Sequence, residues 1–205
     1  MDGAALDHAD LAHLRAAIDA SREASARGDE PYGAVLVDAS GNVIAIAGNT
    51  QHTTGDCTGH AETNLLRDAT QQYDAQTLAG STLYASGEPC AMCAGAIYWS
   101  GVSRVVFALP AARMNAITGP ATDVLDLDSR AVLAKGTHRV TVLGPALEDE
   151  AARFFGAETA LYMGGGFAAN TAIFATLPQR GDLIVHDDLI HASAHDGMRM
   201  SKAAT

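Results

Sequence analysis

Long apolar runs are missing from this sequence. No stretch approaches the roughly 18 apolar residues of a membrane-spanning helix, so no membrane partner is expected. The opening MDGAALDHADLAHLR carries acids and no apolar core, which argues against a secretory signal and for a cytoplasmic protein. Cysteine is scarce. The 3 cysteines, two of them in one Cys-x-x-Cys, cannot make a disulfide framework and suit metal binding in a reducing cytosol. Positive charge is scarce too, with 13 Lys and Arg against 24 Asp and Glu, net −11. Residues 1–146 hold 9 basic and 16 acidic groups and residues 147–205 hold 4 and 8, so neither part has a basic stripe. Binding to a phosphate backbone draws most of its affinity from Lys and Arg, so no polynucleotide partner is expected. A small neutral heterocycle would be indifferent to this charge.

What is present suits a globular chain: 48% hydrophobic and 18% charged residues, and length for one well-filled domain or one with an appendage. Leu11, Leu14 and Ile18 share a helical face that Gly28 closes. Residues 33–37 and 43–47 are apolar runs joined by Asp38-Ala-Ser-Gly-Asn42, a hairpin pattern. A polar loop from Gly48 to Gly59 leads into a helix from about His60. A strand follows at 82–86, then a helix from Pro89 to about Ser100. That helix is apolar nearly all round, so burial on all sides is expected. Strands at 104–108 and 140–143 complete the set. An opening hairpin followed by alternating helices and strands predicts an α/β fold of three layers, α/β/α, around a five-stranded mixed sheet.

His60-Ala61-Glu62 and Cys90-Ala-Met-Cys93 carry the chemistry. One imidazole and two thiolates suit Zn²⁺, and a three-ligand zinc keeps its fourth position for water. Both segments begin helices, whose free N–H groups and dipole favour thiolates. Glu62 is the carboxylate that can move protons beside such a site. One alternative adds Cys57 as a fourth ligand, which would make a closed structural zinc in a non-catalytic interaction module.

Pro31-Tyr-Gly-Ala34, Asn49, His60-Ala-Glu62, Gly87-Glu-Pro-Cys-Ala-Met-Cys93 and Ala96-Ile-Tyr-Trp-Ser100 resemble the cytidine-deaminase-like superfamily, most of all its bacterial guanine and nucleoside deaminases. The resemblance covers about residues 8–150 and sets a deaminase domain at 1–147. It implies one zinc held by His60, Cys90 and Cys93, with Glu62 as proton shuttle. It also implies substrate contacts from the Asn49 side chain and from the backbone at Ala61 and Ser86. Tyr32 stands where such proteins usually have Phe, as core or pocket wall. Trp99 reads as core or dimer contact, with stacking on the substrate as the other option, and His52 as a solvated loop residue. The implied reaction replaces an exocyclic amine of a nucleobase or nucleoside with a ring carbonyl, and a homodimer is the expected assembly. The acidic segment of guanine deaminases is absent, since the matching stretch reads Ala116-Ile-Thr-Gly-Pro-Ala121. Guanine therefore becomes one candidate among cytosine, isocytosine, triazines and purine nucleosides.

Residues 148–205 resemble something else. Gly164-Gly-Gly-Phe-Ala-Ala-Asn170 and Asp182-Leu-Ile-Val-His186, with His191, are similar to part of the α-oxoamine synthases, a pyridoxal-phosphate fold. That likeness implies an α/β appendage with Gly166 and Phe167 at a cofactor phosphate and His191 on a pyridine ring. Lys202 comes too early to be the Schiff-base lysine, so pyridoxal chemistry is not expected. Leu161, Phe167, Ile173, Phe174, Leu177, Leu183 and Ile184 still call for burial, and Phe154 or Phe155 could lid the deaminase pocket.

Overall fold

The computed structural model describes residues 6–111, 125, 127–146, 166–186 and 190–203. The chain divides into two compact units, residues 1–160 and 161–205. The first opens with α1 (His8–Ala26), where Asp7 and Asp10 cap each other reciprocally at 2.8 and 3.1 Å. Its buried face is built from Leu14, Ala17, Ala20 and Ala24, small residues that let the helix lie close on the sheet. Leu11 and Ile18, expected on that face, are only half-buried. The closest approach is at Gly33, the first residue of β1 (Gly33–Val37): a Cβ there would strike the Ala17 carbonyl and lie 2.5 Å from Ser21 N.

β1 pairs antiparallel with β2 (Val43–Gly48), as the hairpin pattern predicts. The Gly48–Gly59 connection is not all loop, because it contains the short α2 (Gln51–Thr54). Then come α3 (Ala61–Gln72), α4 (Ala75–Ala79) and β3 (Thr82–Gly87), which pairs antiparallel with β1. After α5 (Ala91–Ser100), β4 (Arg104–Leu109) adds parallel to β3. Next, α6 (Ser129–Leu133) leads to β5 (Thr141–Leu143), parallel to β4. The sheet order is β2-β1-β3-β4-β5, the expected five-stranded mixed sheet.

Alternation along the strands sorts the core into two halves. Ala34, Leu36, Leu83, Ala85, Val105 and Phe107 meet Ala61, Leu65 and Ile97 of α3 and α5. Val35, Val37, Tyr84, Val106 and Ala108 point the other way, to Leu14 and Ala17 of α1. Central strands buried on both faces explain the unbroken apolar runs in β1 and β4.

Two expectations for α5 need correcting. Pro89 is not in the first turn; it precedes the N-cap, which is Cys90 itself. Nor is the helix buried all round. Cys93, Ala94 and Ile97 face the core, while Trp99 is 84% exposed and Met92 is exposed as well. A uniformly apolar helix carries no periodicity to show which side faces water.

The second unit contains α7 (Gly166–Thr176) and α8 (Ala192–Met200), packed so closely that a Cβ on Gly197 would lie 2.7 Å from Thr171 O. His191 caps α8 by accepting from Ser193 N at 3.2 Å. Apart from a bridge between Arg180 and Asp182, the described part of this unit is helical rather than α/β. Leu177 and Leu183, which the sequence marks for burial, are exposed. Phe154, Phe155, Leu161, residues 112–124 and the side chain of Phe167 lie outside the described residues.

Candidate metal centre

α3 and α5 both begin at the same end of the sheet, and each begins on a metal-ligating residue type. His60 is the N-cap of α3 and Cys90 the N-cap of α5. N-cap side chains ordinarily accept from the free N–H groups of the first turn. Neither of these does so, and both turn instead toward one point. Cys93, in the first turn of α5, joins them, and the three ligand atoms lie within 4.8 Å of one another. His60 Nδ1 stands 3.6 Å from Cys90 Sγ and 3.6 Å from Cys93 Sγ. A tetrahedral zinc with sulfur at about 2.3 Å and nitrogen at about 2.1 Å has N···S edges of about 3.6 Å, so the trio fits the ion. The cluster is graded in exposure: Cys93 is buried, His60 half-buried and Cys90 exposed. It opens to solvent on the Cys90 side.

The electrostatics favour a cation. The adjoining Cys93, and then His60, bring Cys90 down to about 4, although partial desolvation works against the charge. Cys93 is pushed up by the adjoining Cys90 sulfur, by burial and by Glu62. His60 is raised chiefly by its hydrogen bond with Cys90. The trio thus holds one thiolate readily, and a divalent cation is what would stabilise a second.

Glu62 is 6% exposed and its Oε2 accepts from Cys93 Sγ at 3.4 Å. Burial pushes its carboxyl up from the ordinary carboxylate range. Thr63 adds a hydroxyl 3.4 Å from the same sulfur. Ala61, one residue before Glu62, is buried in the first turn of α3, where its N–H has no intrahelical partner.

The other expected contacts come from three neighbouring strand ends. Tyr32 precedes β1, Asn49 follows β2 and Ser86 lies near the end of β3. They are tied together, since Asn49 N donates to Tyr32 O at 2.9 Å and Gly33 N donates to Ser86 Oγ at 3.0 Å. Asn49 is buried and its amide is oriented by Gln51: Oδ1 accepts from Gln51 N and Nδ2 donates to Gln51 Oε1, both at 2.9 Å. Gln51 takes one hydrogen and one lone pair, and an amide has two of each.

Sequence reasoning missed the clamps on this loop. Asn64 Nδ2 donates to Gly48 O, Thr50 Oγ1 and Gly59 O at 2.9–3.2 Å. Asp29, with its side chain fully buried, accepts from Thr53 N at 2.9 Å and from Thr53 Oγ1 at 3.0 Å. Arg27 donates to Asn49 O at 3.2 Å. Nothing in a lone Asp or Asn distinguishes such a clamp from a solvated turn residue. His52 is exposed, as expected, and pairs with Glu30 at 3.2 Å.

Cys57 is exposed and outside the three-ligand group. Two surface cavities, of about 470 and 390 Å³, contain neither the ligands nor Glu62. Trp99 lines the second, between α3 and α5, so it is neither core nor part of the metal cluster.

An α/β/α sandwich with a three-ligand zinc site at paired helix N-termini defines a class of metal-dependent domain. The family comparison agrees: residues 7–109 match the cytidine and deoxycytidylate deaminase zinc-binding region. The chain belongs to that deaminase family. It is 41% identical over 153 residues to a probable cytosine deaminase of Schizosaccharomyces pombe, covering 74% of this chain and 93% of that relative. It is 43% identical over 94 residues to a tRNA-specific adenosine deaminase of Haemophilus influenzae, of which it spans only 54%. Among solved structures, a guanine deaminase of Nitrosomonas europaea matches with a TM-score of 0.58 at 26% identity, covering 73% of this chain and 83% of that one. The tail is separate. Residues 118–205 match the aminotransferase class I and II model. A 57-residue stretch, 28% of this chain, is 53% identical to an 8-amino-7-oxononanoate synthase of Emericella nidulans but spans only 14% of it.

Proposed function

We propose that this chain hydrolyses the exocyclic amine of a free nucleobase, a nucleoside or a related amino-pyrimidine or triazine, releasing ammonia and leaving a ring carbonyl. The observation that carries this reading is the buried Glu62 carboxylate beside a ligand trio that is open on one side. His60, Cys90 and Cys93 would hold the metal, which when bound supplies Lewis-acid activation of water near neutral pH. Glu62 takes one proton from the attacking water and passes it to the ring nitrogen beside the reacting carbon. It then takes the remaining proton from the added hydroxyl and passes it to the departing amine, which leaves as ammonia as the ring carbonyl forms. Tyr32, Asn49 and the backbone at Ala61 and Ser86 hold the ring. A small substrate is favoured over a polynucleotide by the net charge of −11. Cytosine-like and guanine-like rings both remain in the proposed class. The reducing cytoplasm, where thiolate ligands stay unoxidised, is the proposed compartment.

The test is ammonia release by zinc-loaded protein from a panel of bases, nucleosides and a tRNA. Release from free bases or nucleosides supports the reading; release from tRNA alone, or from nothing, sinks it.

We also propose a homodimer through the outer face of α3 and α5. Trp99 projects beside a groove lined by Thr63, Leu66, Arg67, Thr70 and Ala96. A knob beside a hole on one face is what a two-fold interface requires. Light scattering on Trp99→Ala should show a monomer where the unmodified chain shows a dimer.

A further inference from the structure

The net charge of −11 hides one local exception. Residues 129–147 contain Arg130, Lys135, His138 and Arg139 and no Asp or Glu. The fold closes this stretch around the larger cavity, of about 470 Å³, between α6 and β5. Arg130, His138 and Arg139 line it, and among the described residues no carboxylate does. Asp128, the next acid in sequence, is engaged as the N-cap of α6, accepting from Ala131 N at 2.6 Å. Leu133, Val140 and Val142 make the floor aliphatic.

The walls are held in place by their neighbours. The Tyr98 hydroxyl accepts from Thr137 N at 2.9 Å and shares a hydrogen with Thr137 Oγ1 at 2.9 Å. The His138 ring stacks on that of Tyr98 with centroids 4.0 Å apart, and a Cβ on Gly136 would strike the same tyrosine ring. Arg130 Nη2 donates to Gly144 O at 2.6 Å while its guanidinium lies over the Phe107 ring. Its other N–H groups remain to be offered. Arg139 makes no ion pair or side-chain hydrogen bond at all among the described residues.

One unpaired arginine on a surface is ordinary. Two arginines and a histidine around an aliphatic floor, in a chain with 24 acids to 13 bases, complement an anion with an apolar body. A phosphate takes the forked donors of arginine, and a nucleobase offers flat apolar faces to valine and leucine. A bare phosphate would leave most of the cavity to water. We propose that this cavity binds a nucleoside phosphate, with the phosphate on Arg130 and Arg139 and the base against Leu133, Val140 and Val142. The site is separate from the metal centre, because none of its lining residues belongs to the ligand trio or to the proposed ring contacts.

The test is equilibrium dialysis of full-length, zinc-loaded protein against uridine monophosphate, uridine and inorganic phosphate. Uridine monophosphate has no exocyclic amine, so the metal centre does not consume it. It should bind about tenfold or more tightly than either of its parts. Arg139→Glu should weaken that binding about tenfold or more, by replacing a charge-assisted donor with a repelling carboxylate. Arg139 has no partner to lose, so the fold should persist, as circular dichroism checks. Arg22→Glu makes the same charge change on α1, across the sheet from Val140 and Val142. It should leave the affinity within about twofold, since charges that far apart are screened. An equal loss in both variants overturns the proposal, as does phosphate held as tightly as the nucleotide. No saturable binding of the nucleotide, or binding of tRNA alone in a parallel gel shift, overturns it too. None of these outcomes depends on ammonia release, so a failure here leaves the deaminase reading standing.

Discussion

Glu62 and Cys93 meet across the gap between two helices, with a carboxylate oxygen 3.4 Å from a sulfur. The contact joins the residue proposed to move protons to a residue that would hold the metal, so each fixes the other's position. Glu62→Gln preserves shape and removes only the capacity to accept and return a proton. Turnover should fall by about 10²- to 10⁴-fold, with ammonia release as the measure and zinc content unchanged. Retention of a tenth of the activity would point to another shuttle.

Metal stoichiometry separates the cysteines. Cys57→Ser should keep one zinc per chain and full activity, because Cys57 lies outside the trio. Cys93→Ser should lose the metal on dialysis, because it removes the most buried ligand. Elemental analysis decides both, and loss of zinc from Cys57→Ser would revive a closed four-ligand site.

Asp10 gives a pH prediction. Burial works against its charge, but Arg104 at 2.8 and 2.9 Å and Tyr84 at 2.7 Å hold its carboxyl below the ordinary value of 3.8. A depressed folded-state pKa stabilises the protein above the unfolded value, and that stability is lost as pH falls through the folded one. Asp10→Asn should therefore cost about 1–3 kcal/mol near neutral pH. The gap in denaturant midpoint between the two proteins should close below about pH 4. A gap that stays constant down to pH 2 would contradict the ion pair.

The tail should take no part in pyridoxal chemistry. Adding pyridoxal phosphate should produce no imine absorbance and leave ammonia release unchanged. Removal of residues 161–205, the second compact unit, should leave zinc bound. A rise in KM after that removal would assign the tail a place over the substrate.

Much of this could be read from the residues in order. The hairpin, the two helix starts and the His/Cys trio are local patterns with sharp turn and ligand chemistry. What escaped was either unpatterned or distant. The faces of α5 could not be told apart because both are apolar. Nothing in the sequence marks Asp10 for burial; its partner Arg104 lies 94 residues away, and only the fold brings them together. Asn64 and Asp29 clamp the loop through main-chain groups and threonine hydroxyls, whose pairing leaves no trace in composition.

Apart from the Ala61 backbone, the proposed ring contacts hang on a different part of the scaffold from the ligands. His60, Cys90 and Cys93 belong to helix starts, whereas Tyr32, Asn49 and Ser86 belong to strand ends. Replacing a side chain at a strand end leaves the helix starts where they are. Such an arrangement lets the choice of ring drift during evolution, or be redesigned in the laboratory, while the metal chemistry is inherited unchanged.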